Sequence, residues 1–63
     1  MNEEIDKLKG VIALLSTDQI KALARKTHSD PRDLASIVFA VCLAELERRM
    51  PPAAFIRFCE VME

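Results

Sequence analysis

The sequence predicts an all-α fold, a small bundle of three to four helices around a highly apolar central helix over about 31–49. Three observations predict it. First, the chain has one glycine, no Tyr and no Trp. Hairpin turns lean on glycine, and strands on alternation and aromatics, neither of which is present. Second, apolar residues recur every three to four positions in segment after segment, the period of an amphipathic helix. Third, Leu34 to Ala44 is apolar throughout, apart from Ser36.

The first segment runs from about Glu3 to Leu15. Asn2 is placed to cap it, and Glu3, Glu4 and Asp6 lie in its first turn, where the helix dipole favours acid. Ile5, Leu8, Ile12 and Leu15 form its apolar stripe, with Val11 alongside. Ser16, Thr17, Asp18 and Gln19 then fit a capping box, in which the Ser hydroxyl and the Gln amide serve each other's backbone donors. A second helix follows over about 17–27, with Ile20, Leu23, Ala24 and Thr27 on one face and Lys21, Arg25 and Lys26 off it. Asp30 as N-cap with Pro31 at the first helical position predicts the start of the central helix. Pro51 and Pro52 end it, because the residue before a proline is steered away from helical geometry. A last helix over about 52–62 carries Phe55, Phe58, Cys59 and Met62 at helical spacing, with Ile56 beside them.

At 63 residues the chain is read as one domain, 1–63. A chain of this size buries only about 60% of its unfolded surface, so its core is marginal without help. The composition is 51% apolar and 30% charged with net charge −1. That excludes disorder, and it removes the broad electrostatic pull toward phosphate backbones. The apolar run at 34–44 is well short of the roughly 20 residues that span a bilayer, so no membrane span is expected. The start of the chain is acidic where a secretory signal is basic. Cys42 and Cys59 are therefore expected to be reduced thiols in a cytoplasmic protein.

A helix apolar on every side has to be buried on every side. Three short neighbours cover part of it, and the remainder is expected to pack against a second copy in a symmetric homodimer. The candidates for core and dimer interface are Ile5, Leu8, Ile12 and Leu15 on the first helix. On the central helix they are Leu34, Ile37, Val38, Phe39 and Val41.

Lys21, Arg25, Lys26, His28 and Arg32 form a basic stretch, a candidate contact for an acidic partner or for nucleic acid. The order helix, turn and long helix from Asp18 to Glu47 resembles the helical half of ribbon-helix-helix repressors. That resemblance implies DNA contact, but the family reads DNA with an N-terminal strand, and an acidic amphipathic helix stands in that place here. A recognition helix also needs polar residues on its leading face. Only Arg32, Asp33 and Ser36 qualify, so nucleic acid is the disfavoured partner.

No reaction chemistry is placed by motif. Two isolated cysteines and one histidine fall short of a four-ligand zinc set, and no metal or other cofactor is expected. Asp30 and Asp33 read as caps rather than as an acid–base pair, and His28 as a junction residue. Phe55, Ile56, Phe58 and Met62 either fold back as core or form a docking helix hinged at the two prolines. The expectation is a non-enzymatic interaction, regulatory or accessory protein that binds another protein as a homodimer. A small DNA-binding regulator using residues 21–32 is the alternative.

Overall fold

Caps and prolines divide the chain into four helices. The structure is a computed structural model that describes residues 3–62. Its elements are α1 (Glu3–Leu14), α2 (Thr17–His28), α3 (Asp33–Arg49) and α4 (Pro52–Met62), and no strand occurs among the described residues. The fold is all-α. No described helix is long and apolar enough to cross a membrane. The Asn2 cap lies outside the described residues.

The start of α2 is fixed by local chemistry. Ser16 Oγ accepts from the Gln19 N–H at 3.1 Å, and Gln19 Oε1 accepts from the Ser16 N–H at 2.9 Å. Two of the helix's orphan donor positions are thereby satisfied reciprocally. At the C-terminal end of α3, Met50 is extended with ψ 147°, as a residue before proline should be. Pro52 then occupies the first position of α4, where its missing N–H costs nothing, and Pro51 O accepts the Phe55 N–H at 3.0 Å.

The start of α3 corrects the sequence reading. The helix begins at Asp33, not at Pro31, and its N-cap is Arg32, which makes no side-chain capping bond. Asp30 does not cap α3. Its carboxylate accepts the Arg32 N–H at 3.0 Å and also pairs with the Arg32 guanidinium. An Asp that bonds its own backbone two residues on builds a turn, and that turn competes with the helix. α1 also closes one residue early, at Leu14.

The end of α1, the start of α2 and the end of α3 meet at Arg49, which reaches Ala13 O, Leu15 O and Thr17 Oγ1, and α3 packs along both α2 and α1. The core lies where they meet: Ile12 from α1, Ile20 and Ala24 from α2, Val41, Cys42 and Leu46 from α3, and Phe58 from α4. Ile5, Leu8 and Leu15 are half-buried, so the stripe of the first helix faces this core.

Arg49 ties the lower end together. Its Nη1 donates to Leu15 O at 2.9 Å and its Nη2 to Ala13 O at 2.8 Å. Its Nε donates to Glu45 Oε2 at 2.6 Å. α1 has no basic residue in its own last turn. A cation supplied by α3 thus meets the carbonyls that a helix end leaves unpaired.

Candidate protein-docking surface

The central helix is not buried all round within this chain. Ala35, Val41, Cys42 and Leu46 are buried, whereas Leu34 is 69% and Ile37 43% exposed. Ala40 and Ala44 are exposed as well. At about 100° per residue, Ile37, Ala40 and Ala44 share the face of α3 turned away from Ala35 and Cys42. An aliphatic row therefore runs out of the core and onto the surface.

Beside this row lies a cleft of about 270 Å³ between the second half of α2 and the first turns of α3. Leu23, Leu34, Ala35 and Val38 give it apolar walls. Thr27 also lines it, but turns its hydroxyl into its own helix, donating to Leu23 O at 2.9 Å and to Ala24 O at 3.2 Å. Lys26, Asp30 and Arg32 form the rim. The cleft has a simple origin. α3 has 17 residues and α1 has 12. α1 is anchored at the Arg49 end, so about 8 Å of the seam beside α3 extends past it at the usual rise of 1.5 Å per residue.

The basic stretch is split by the fold. Lys21 Nζ and Arg25 Cζ lie over the Phe58 ring, 5.9 and 5.3 Å from its centroid. These cation–π contacts join α2 to α4. His28 is tilted against Phe39, with ring centroids 5.3 Å apart. Lys26 and Arg32 lie instead at the cleft. The five residues 21, 25, 26, 28 and 32 are therefore not one patch. The Arg32 guanidinium, followed by the Arg32 backbone N–H, holds the Asp30 carboxyl well below the usual range, at about 2. The acid at the rim stays ionised and keeps Arg32 in place.

No protein-family model matches the chain, and comparison with curated proteins and with solved structures finds no match.

The remaining candidates divide between core and surface. Val38 and Phe39 are half-buried against the core, as are Phe55 and Met62, while Ile56 is 58% exposed. Phe58 is 8% exposed, so α4 packs back on the bundle through this ring. Cys42 and Cys59 are both free thiols. Burial pushes the Cys42 thiol up, which keeps it protonated and makes it a small apolar side chain. Among the described residues no cluster of His, Cys, Asp and Glu could hold a metal ion.

Sequence reasoning missed the cleft. Leu23 and Ala35 were visible as apolar helix positions, but their pairing depends on how far α1 reaches along α3. At about 270 Å³, the cleft falls just below the roughly 300–1,000 Å³ of small-ligand pockets. Its volume and open form suit one or two side chains projecting from another chain.

Proposed function

We propose that this chain is a non-catalytic regulatory or accessory protein that works as a helical homodimer and binds another protein. The observation that carries the reading is the aliphatic surface of α3, which starts at Leu34 and continues through Ile37, Ala40 and Ala44. Contiguous exposed apolar surface on a small protein marks a site of association.

For the dimer, an antiparallel pairing of two copies of α3 is self-complementary. With the two-fold axis passing between Ala40 and Val41, Ile37 of one copy lies opposite Ala44 of the other, large against small. The same symmetry sets Asp33 opposite Arg48 at both ends, and this repeated pairing is what a two-fold interface requires. Sedimentation at micromolar concentration is expected to give twice the 7.1 kDa chain mass. Ile37→Glu should give the single-chain mass with unchanged helicity. A wild-type protein that sediments only as the single chain overturns the dimer.

A DNA-binding regulator is the competing reading. Lys21 and Arg25 are engaged with Phe58, which leaves it Lys26 and Arg32 beside an ionised Asp30. Duplex retention at about 50 mM salt that falls steeply with added salt would establish this reading in place of the protein-binding one.

A further inference from the structure

We infer that the α2–α3 cleft receives an acidic amphipathic helix from a partner protein, with an apolar side chain seated on Leu23, Leu34 and Val38 and a carboxylate facing Lys26 and Arg32. The inference rests on the protein-binding reading above and says where, and with what chemistry, that binding happens. Three observations support it.

The first is charge. Lys26 and Arg32 are exposed cations at the rim, and Asp30 is its one acid. Asp30 engages Nε and Nη2 of Arg32, which leaves Nη1 open, and the Arg32 side chain is 79% exposed. Lys26 makes no ion pair among the described residues. Asp33, the nearest other carboxylate on α3, stands about 140° round the helix from Val38 at 100° per residue. The mouth of the cleft thus carries net positive charge over an apolar floor. This pattern complements an apolar anchor flanked by Glu or Asp.

The second is that the molecule already seats such a helix. α1 carries Glu3, Glu4 and Asp6 in its first turn and an apolar stripe beneath, and its Ile12 is inserted beside Ile20, Ala24 and Val41. An incoming helix would present its apolar stripe to α2 and α3 in the same way.

The third is side-chain economy. The cleft walls are aliphatic, and the hydroxyl of Thr27 is turned to its own backbone. A polar small molecule would find little to hydrogen-bond there, while a Leu or Phe anchor would lose nothing by entering.

The test is selection from a displayed library of amphipathic helical peptides on the immobilised full chain. Apolar positions at i, i+3 and i+7 are fixed as Leu or Phe, and flanking positions are randomised among Glu, Gln and Lys. Enrichment of Glu is expected, with at least tenfold tighter binding than the Lys counterpart of the same peptide. Amide shift changes should centre on Leu23, Lys26, Leu34 and Val38. Leu34→Glu should abolish capture, and Lys26→Glu with Arg32→Glu should reverse the charge preference. Ile37→Glu, off the cleft, should leave capture intact while it breaks the dimer, which separates the two failures. Enrichment of Lys, no enrichment, or shift changes confined to the Ile37 face or to α4 overturns the cleft assignment. In the last case, protein binding itself would still stand.

Discussion

Two sets of apolar residues on α3 are alike in character and opposite in surroundings. Val41, Cys42 and Leu46 lie inside the molecule, with α1, α2 and α4 around them. Leu34, Ile37, Ala40 and Ala44 on the same helix face outward. Hydrophobicity does not separate the two sets. Neighbours do: α1, α2 and α4 pack around Val41, Cys42 and Leu46, while the face of Ile37, Ala40 and Ala44 is left uncovered. A single apolar helix thereby supplies the core on one face and leaves an aliphatic surface exposed on the other.

This contrast is most sharply broken by matched truncations. Leu46, with no exposed surface, should lose about 2–5 kcal/mol on replacement by Ala, from lost transfer energy plus an unfilled cavity. Leu34→Ala should stay within about 0.5 kcal/mol, as surface changes do, and should weaken association instead. Denaturant midpoints at one fixed protein concentration make the comparison. Equal losses at the two sites would mean that the outward-facing set is covered after all.

Arg49 is the next largest effect. Arg49→Ala removes the donors to Ala13 O and Leu15 O and should cost about 2 kcal/mol, within the range for hydrogen bonds to a charged group. Arg49→Lys should recover less than half, since an ammonium cannot span several acceptors in a fixed fork. Hydrogen exchange should show the α1 amides losing protection first.

What the sequence made legible follows the range of the interactions involved. The capping box at Ser16 and Gln19 closes within four residues, and its signature was sufficient. The prolines at 51 and 52 act on their immediate neighbours, and the α3–α4 break fell where they put it. Asp30 was misread because two local uses compete for one carboxylate, and the turn to Arg32 prevails over the cap. The engagement of Lys21 and Arg25 by Phe58 was not legible, because it depends on the direction α4 takes after Met50. The cleft was hidden for a similar reason. It is made by a difference in length between two helices that are not adjacent in sequence.

The smallest expected effect concerns the open end of α3, and it contrasts the two arginines that mark the ends of this helix. Arg49 is largely buried and bonded to backbone, while Arg32 is largely exposed and paired with Asp30. The Asp30 carboxyl sits at about 2, below its ordinary value. A depressed carboxyl pKa adds stability that is complete above the unfolded value of about 3.9 and fades as pH falls toward 2. The pair is exposed to solvent, so the contribution is small and screened by salt. Carboxyl chemical shifts should therefore report Asp30 titrating near 2 in the wild-type protein, with little change in the thermal midpoint above pH 4. Arg32→Gln should move that titration up toward the ordinary value. Lys26→Gln should move it the same way by less, because Lys26 acts on Asp30 through charge alone. An unchanged midpoint in Arg32→Gln would mean that the rim is not held by this pair, and the cleft would lose the fixed cation at its mouth.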